Sequence, residues 1–327
     1  NCVLLYNGIG DINTKLNCSR FLRTTDGGKS WFCASIGCPA WQYDSLIDNY
    51  KFVDINRPIG FIYNKNEQLI AVFDCCQIGR SMDYGKTWLL EEKDTIFDYF
   101  EIKNIGINLS EGQNVLGYTN ELPIGKGSGW GRVFISDSNY RNWKNIPIPD
   151  SLNMSTIYSI KNFNESFFIL YGTFANRRYY FSKTEDNGKN WTTYLLPLPS
   201  DTTRGCLMFF LNDSIGWITA CYKYKEDYKM SVFFTKDKGN NWEKISEFDN
   251  FYNYVWLIFY NQMEGILLDD LRISITKDGG KTWEKLTYND SEKFLKYKIR
   301  SFFIIKKNEL LCTSQDGVIF KLIIPEE

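Results

Sequence analysis

Short runs of apolar residues, each about five residues long, alternate with Gly, Asn and Asp along most of the chain. Examples are GFIYN, QLIAVFD, CLMFFLND and YVWLIFYN. Runs of this length, bounded by turn-forming residues, are typical of β-strands, whereas a helix needs a longer segment with a 3.6-residue period. The pattern therefore predicts an all-β protein.

Five of these strands run into the same turn, Ser/Thr-x-Asp-x-Gly-x-Ser/Asn/Thr-Trp. The aspartates of the five copies are Asp26, Asp83, Asp186, Asp237 and Asp278. A sixth, degenerate copy has Ser138 in place of the Asp and Tyr140 in place of the Gly. The six copies end at Trp31, Trp88, Trp143, Trp191, Trp242 and Trp283. The resulting period of about 50 residues indicates a propeller or a solenoid.

The composition of the turn suits a β-hairpin connection. The Asp carboxylate can accept hydrogen bonds from backbone N–H groups of its own turn, and Gly supplies a position with φ > 0. These turns resemble the Asp-boxes of sialidase-like, sortilin-like and photosystem II assembly-factor propellers. The resemblance implies a β-propeller in which the boxes are structural and lie away from the binding face.

The order of strands within one period predicts four-stranded blades, with the Asp-box between strands three and four. Val3 begins the second strand of blade one, so we expect this sequence to lack the first strand of that blade. Three strands without a box follow the sixth unit and begin at Arg300, Glu309 and Gly317. This count favours one propeller domain over residues 1–327 with seven blades, and a six-bladed ring is the alternative.

Several chemistries are excluded by what the sequence lacks. It contains no histidine, which excludes Ser-His-Asp and Cys-His catalysis and His-ligated zinc. It has neither a P-loop nor a glycine-rich dinucleotide motif. The formal net charge of −1 argues against a nucleic-acid partner, and no apolar run reaches the roughly 18 residues of a transmembrane segment. We expect no metal and no cofactor.

Glycoside hydrolysis needs only carboxylates, so the sialidase resemblance requires a separate test. Sialidases of this family carry an Arg-Ile-Pro motif before the first box, a Tyr-Glu pair and further arginines. No such motif precedes Asp26, and the nearest string, Arg57-Pro58-Ile59-Gly60, follows that box in a different order. The sequence favours a protein without catalytic activity, and a sialidase-like glycoside hydrolase is the alternative.

The boxes also predict where the arginines lie. If the turns between strands three and four mark one face, the connections between strands two and three and between blades lie on the other. Eight of the eleven arginines map to that other face: Arg20, Arg57, Arg132, Arg177, Arg178, Arg204, Arg272 and Arg300. Guanidinium groups bind carboxylates and phosphates through paired hydrogen bonds, and Trp41 and Trp130 are candidates for stacking on a sugar or peptide. Local salt bridges and loop packing are the alternative roles.

These residues predict a non-catalytic binding or assembly propeller that captures a protein segment or an anionic ligand. A glycan-binding lectin or adhesin would use the same face.

Nine cysteines are present, and no pair has the CxxC spacing of a zinc site. Their positions allow three disulfides, Cys206–Cys221, Cys33–Cys38 and Cys2–Cys18, with buried reduced thiols as the alternative. Disulfides favour an exported protein that is extracellular, periplasmic or surface-attached.

Overall fold

The computed structural model contains 28 β-strands and no helix among its described residues. The described residues are 2–5, 21–24, 32–34, 42–44, 49–51, 58–63, 69–73, 78–82, 89–90, 101–109, 115–122, 130–136, 143–148, 155–173, 178–198, 203–224, 227–249, 255–268, 273–286, 299–307, 309–314 and 319–324. The predicted all-β class is confirmed.

In the described part of the chain, the strands form five four-stranded sheets, two three-stranded sheets and one hairpin. The first sheet contains β1 (Cys2–Leu5), β2 (Phe21–Thr24) and β3 (Phe32–Ala34), and the hairpin contains β4 (Gln42–Asp44) and β5 (Asn49–Lys51). The next two sheets are β6 (Pro58–Tyr63), β7 (Leu69–Phe73), β8 (Ile78–Ser81) and β9 (Leu89–Leu90), then β10 (Glu101–Leu109), β11 (Val115–Leu122), β12 (Trp130–Ser136) and β13 (Lys144–Ile146).

The remaining sheets continue in the same order. One contains β14 (Ser155–Phe163), β15 (Ser166–Thr173), β16 (Tyr179–Thr184) and β17 (Thr192–Leu195). The next contains β18 (Thr203–Phe210), β19 (Gly216–Tyr224), β20 (Asp227–Thr235) and β21 (Glu243–Asp249). Then follow β22 (Trp256–Phe259), β23 (Gly265–Leu268), β24 (Ile273–Thr276) and β25 (Glu284–Lys285), and finally β26 (Ile299–Lys306), β27 (Glu309–Ser314) and β28 (Ile319–Ile323).

Every sheet is an antiparallel meander whose strands pair in chain order. The four-stranded sheets match the predicted strand order. Val3 lies in β1, which pairs with β2, and the first sheet has three strands among the described residues. Each described copy of the repeated turn joins the third and fourth strands of its sheet, at Asp186, Asp237 and Asp278.

The hydrophobic core lies between neighbouring sheets rather than at one centre. Side chains of β15 and β16 pack against side chains of β18 and β19, as in the contacts among Phe168, Phe181 and Phe210. Equivalent clusters join β10–β13 to β14–β17, β18–β21 to β22–β25, and β22–β25 to β26–β28. Successive residues of a strand point to opposite faces, so the β14–β17, β18–β21 and β22–β25 sheets each contribute to two clusters, one on either side.

One aromatic pair illustrates how closely the sheets approach. The rings of Trp217 and Phe259 are parallel within 6° and their centroids lie 3.7 Å apart. The Trp217 indole N–H donates to the carbonyl of Gly279 at 3.0 Å, and its side chain is fully buried. A buried aromatic side chain of this size stabilises the folded state by about 1.5–3 kcal/mol through burial alone.

In each described copy of the repeated turn, one threonine hydroxyl makes two hydrogen bonds within the turn, one to the Asp carboxylate and one to the glycine N–H. Thr235 Oγ1 donates to Asp237 Oδ1 at 2.8 Å and accepts the backbone N–H of Gly239 at 3.0 Å. Thr184 and Thr276 make the same two bonds in their turns. The Asp carboxylate then accepts the backbone N–H and the side chain of the residue four positions on, Asn241 in this copy.

Two consecutive positions of each turn have a left-handed backbone. Lys238 has φ 60° and Gly239 has φ 74°, and the other two described turns repeat this pair. The glycine also presses against the preceding sheet, because a Cβ at Gly239 would lie 2.3 Å from Phe181 Cε1. Gly188 meets Ile146 in the same way. The sequence indicates the glycine of this pair, but not the left-handed residue before it.

The hydrogen bonds of the turns hold their carboxylates in the ionised form. The backbone N–H of Asn190, followed by the Thr184 hydroxyl, lowers the pKa of Asp186 from 3.8 to about 2. At Asp278, burial alone would raise the pKa, but hydrogen bonds from Thr282 and Thr276 lower it to about 2. Deprotonation of these groups is therefore linked to folding.

The predicted disulfide between Cys206 and Cys221 is wrong. Both are free, buried thiols. Cys206 pairs across the hairpin with Ala220, so Cys221, one residue further, points to the other face of the sheet. Cys206 lies in the core shared with β14–β17, and Cys221 lies in the core shared with β22–β25. The Cys33–Cys38 and Cys2–Cys18 predictions concern side chains outside the described residues.

We predict that Gly239→Ala destabilises the protein by roughly 1–3 kcal/mol, because the new methyl group meets both a left-handed backbone and the Phe181 ring. Chemical denaturation followed by Trp fluorescence measures the change. The exposed Lys236→Ala, three residues earlier, is the control, and we expect it to change stability by less than about 0.5 kcal/mol. Equal effects of the two substitutions would contradict the close packing of this turn.

We predict that Asp278→Asn lowers the melting temperature at pH 7 and that this difference disappears near pH 2. The folded-state pKa is depressed, so the carboxylate contributes stability above pH 3.8 that is lost as the pH falls towards 2. Thermal unfolding followed by circular dichroism from pH 7 to pH 2 tests this. A deficit of constant size over the whole range would contradict the assignment.

Candidate binding face

Hydrogen bonds between turns define one face of the molecule. The backbone N–H of Lys238, in the repeated turn, donates to the carbonyl of Ser214, in the hairpin between β18 and β19. Asn187 and Gly279 make the equivalent bonds to Glu165 and Met263. The repeated turns and these first hairpins therefore lie on the same side, which we call the turn face. The other ends of the strands form the opposite face.

Four of the predicted arginines lie in or beside described strands, at the ends that point to the opposite face. Arg178 directly precedes β16 and is exposed, and Arg132 is the third residue of β12 and is half-buried. Arg204 and Arg300 are the second residues of β18 and β26, and Trp130 begins β12. The remaining predicted ligand-binding residues lie outside the described residues: Arg20, Arg57, Arg177, Arg272 and Trp41.

Two pairs of tyrosines, which we call together the tyrosine cluster, lie at the same end of the β14–β17 sheet, with one pair on each face of the sheet. The rings of Tyr158 and Tyr179 have centroids 5.4 Å apart, and their hydroxyl oxygens are 3.5 Å apart. The rings of Tyr171 and Tyr180 stack at 5.4 Å. A Cβ at Gly172 would lie 3.0 Å from Tyr158 Cε2, so a side chain at this position would press against that ring.

Reasoning from the sequence missed this tyrosine cluster. A signal for part of it was present, because Arg177, Arg178, Tyr179 and Tyr180 follow one another in the sequence. Tyr158 and Tyr180 are half-buried, whereas Tyr171 and Tyr179 are buried. Tyr158 and Tyr180 are thus partly accessible, one on each face of the sheet, and the exposed Arg178 lies at the same end of the sheet. A phenol ring can stack on a ligand, and a guanidinium group can bind an anion.

An ion network lies on the neighbouring β18–β21 sheet. Glu247 accepts hydrogen bonds from the Tyr222 hydroxyl at 2.6 Å, Lys244 Nζ at 2.8 Å and Lys229 Nζ at 3.0 Å. Lys229 also pairs with Asp249 at 3.2 Å. The Lys244 ammonium, followed by the Tyr222 hydroxyl, lowers the pKa of Glu247 to about 2.

The contact between Tyr222 and Glu247 is of interest because sialidases carry a Tyr-Glu pair. Here the tyrosine is 1% exposed, and burial, followed by the hydrogen bond to Glu247, raises its pKa. A phenol in this environment stays protonated and out of reach of a substrate. The network therefore connects β19, β20 and β21, and its two lysines neutralise the carboxylate.

In the described part of the chain, no group of three or more Cys, Asp or Glu residues is arranged to hold a metal ion. No helix long and apolar enough to cross a bilayer occurs there.

No protein-family model matches the sequence, and the curated proteins give no match either. Solved structures do show similarity. The oligogalacturonate lyase of Vibrio parahaemolyticus has a TM-score of 0.55 and 11% identity, over 82% of this chain and 77% of that chain. The α-L-arabinanase of Penicillium chrysogenum, complexed with arabinobiose, has a TM-score of 0.51 and 12% identity, over 81% of this chain and 91% of that chain.

YCF48 bound to a D1 peptide matches over 83% of this chain and 92% of that chain, with 14% identity and a TM-score of 0.39. Identities this low show the fold alone, and a TM-score of 0.39 supports no argument about ligands. The chain is thus similar in fold to β-propeller proteins, with an all-β structure built from four-stranded antiparallel sheets.

Proposed function

We propose that the chain is a single, seven-bladed Asp-box propeller that binds a protein segment or another anionic ligand on its opposite face, without catalysis. Five four-stranded and two three-stranded sheets among the described residues support the blade number. Contacts between the first strands of successive sheets, from β6 through β10, β14 and β18 to β22, support a closed ring with these strands innermost.

The binding proposal rests on one observation, which is that the turn face and the opposite face carry different groups. On the turn face, backbone groups bond to each other, and Gly188 and Gly239 press against neighbouring sheets. That side has a structural role. The opposite face carries Arg132, Arg178 and the tyrosine cluster. The segments that join successive sheets also lie at this face, and the one between β25 and β26 has 13 residues, a length that suits a binding loop on a rigid scaffold.

An acidic ligand fits these residues best. Arginine presents a planar set of donors that matches a carboxylate, and several arginines at one face create a positive potential although the formal net charge is only −1. The half-buried tyrosines at this end of the sheet, Tyr158 on one face and Tyr180 on the other, can each pack against the apolar part of a peptide.

A glycan is the second candidate ligand, and the tyrosine cluster favours it. Tyr158 and Tyr180 offer ring surfaces of the kind on which sugars stack, and a sugar acid would place its carboxylate at an arginine. Both candidate ligands would bind at the opposite face. The two candidates therefore differ in the chemistry of the ligand and not in where it binds.

We predict that the double variant Arg132→Glu/Arg178→Glu binds an acidic peptide at least tenfold more weakly than the unchanged chain, because two attractive charges become repulsive. The probe is a fluorescein-labelled decapeptide of Glu and Ala with a free carboxyl terminus. Fluorescence anisotropy at about 0.15 M salt measures binding, since screening at this ionic strength suppresses weak long-range attraction.

Lys189→Glu/Lys281→Glu is the matched control, because it makes the same charge change at two exposed lysines of the turn face. We expect its affinity for the peptide to stay within twofold of that of the unchanged chain. Equal losses in both variants would indicate non-specific attraction. No binding of the peptide to the unchanged chain, together with binding of a uronic-acid oligosaccharide, would favour the glycan candidate instead.

A further inference from the structure

The tight turn between β14 and β15 contains the sequence Asn164-Glu165-Ser166. Asn-x-Ser is the acceptor sequence for an N-linked glycan when the middle residue is not proline. Asn164 and Glu165 form the whole loop, because Phe163 pairs with Ser166 across the hairpin. The loop lies on the turn face, where the Glu165 carbonyl accepts the backbone N–H of Asn187. Asn164 is exposed there.

Two other acceptor sequences with described side chains have asparagines with a structural role. Asn190, in Asn-Trp-Thr, donates from Nδ2 to the Asp carboxylate of its turn at 2.7 Å, and Asn241 makes the same bond in the next turn without an acceptor sequence. Asn212, in Asn-Asp-Ser, accepts two backbone N–H groups of its hairpin at 2.9 and 2.8 Å. Asn261 does the same in a hairpin that lacks the serine. The turns therefore account for these asparagines without a glycan.

Asn164 differs, because its side chain makes no hydrogen bond within the described part of the chain. Its left-handed backbone, with φ 52°, explains why an asparagine suits this position. That backbone does not explain Ser166, whose hydroxyl also has no hydrogen bond to any described residue. In the hairpin at Asn212, by contrast, the Ser214 hydroxyl donates to Asp213 Oδ1 at 2.8 Å. An exposed asparagine and a serine, neither used by the turn, point to a modification.

A cleft next to Asn164 has room for the first sugar of a glycan. It lies between the β14–β17 and β18–β21 sheets and has a volume of about 560 Å³, within the range of small-molecule sites. Part of its lining is the half-buried ring of Phe163, which precedes Asn164 in sequence. Lys238 also lines it, with Nζ 3.5 Å from Glu185 and 3.3 Å from Asp213. An aromatic ring suits the apolar side of a sugar, and charged groups suit its hydroxyls.

We propose that Asn164 carries an N-linked glycan whose first sugar packs into this cleft. In the transfer, Asn164 Nδ2 forms a bond to C1 of the sugar and loses one proton. The bond between C1 and the pyrophosphate oxygen of a lipid-linked donor breaks, and the lipid pyrophosphate leaves. The proposal includes the export that the sequence predicts. It goes beyond the proposed function, because a glycan on the turn face leaves the opposite face open to a ligand.

Mass spectrometry of the chain purified from its native source tests the modification. Its peptides are treated with peptide N-glycosidase in water labelled with heavy oxygen, which converts a glycosylated asparagine into labelled aspartate. We expect the label at position 164. An unlabelled Asn164 would overturn the proposal, whatever is found at the other acceptor sequences.

Substitutions in the full chain, secreted from cultured animal cells behind a secretory signal, test the acceptor residues. Asn164→Gln and Ser166→Ala should each lose the mass of one glycan on electrophoresis, whereas Ser166→Thr should retain it because the hydroxyl remains. Asn261→Gln is the control, because Asn261 is an exposed asparagine of the turn face without an acceptor sequence, and we expect no change in mass. An unchanged glycan mass in Ser166→Ala would contradict the site, and this variant decides alone if Asn164→Gln is not secreted.

Thermal unfolding tests the place of the first sugar. The difference in melting temperature between the unchanged chain and Ser166→Ala is measured twice, in secreted protein trimmed to the first sugars and in protein made without glycans in bacteria. We expect the difference to be larger by about 2 °C in the secreted protein, because the sugar covers the exposed part of Phe163. Equal differences would overturn the packing of the sugar into the cleft.

Discussion

The threonine hydroxyl of the repeated turn is the interaction on which the rest of the structure depends. In the three described turns it donates to the Asp carboxylate and accepts the N–H of the glycine two residues beyond that Asp, so a buried N–H has a partner without any solvent. An unpartnered buried donor would cost about 1–3 kcal/mol. Because this cost is avoided, Gly188 and Gly239 can press against the preceding sheet, and that contact fixes how neighbouring sheets approach.

The same turn gives the two ends of these sheets different backbone contacts. It occupies one end of every described sheet in which it occurs and ties that end to the first hairpin through backbone bonds. A backbone N–H that already donates to a carbonyl of the molecule is not available to a ligand. The other ends of the strands are free of this constraint. Arg178 and the tyrosine rings lie there, and the ion network around Glu247 balances its own charges locally.

Much of the fold could be predicted from the sequence, because strand length, turn composition and period are local properties. The four-stranded sheets and the place of the turn between strands three and four follow from them. The Cys206–Cys221 pairing failed, since a one-residue offset in register reverses the face of a side chain and spacing from a turn does not determine that offset. The β-bulges at Tyr158 in β14 and at Arg204 in β18 were not predicted for the same reason, and neither was the tyrosine cluster, which needs three strands to assemble.

The separation of Cys206 from Cys221 has a consequence for how the molecule tolerates change. These two thiols belong to one sheet but to two different core clusters, so the β18–β21 sheet packs against a neighbouring sheet on each of its two faces. Deleting or inserting a whole sheet would disrupt both core clusters at once, and the neighbouring sheets would have to pack against different side chains. Divergence in such an architecture is therefore easier in the connections between strands, where new residues do not expose a core.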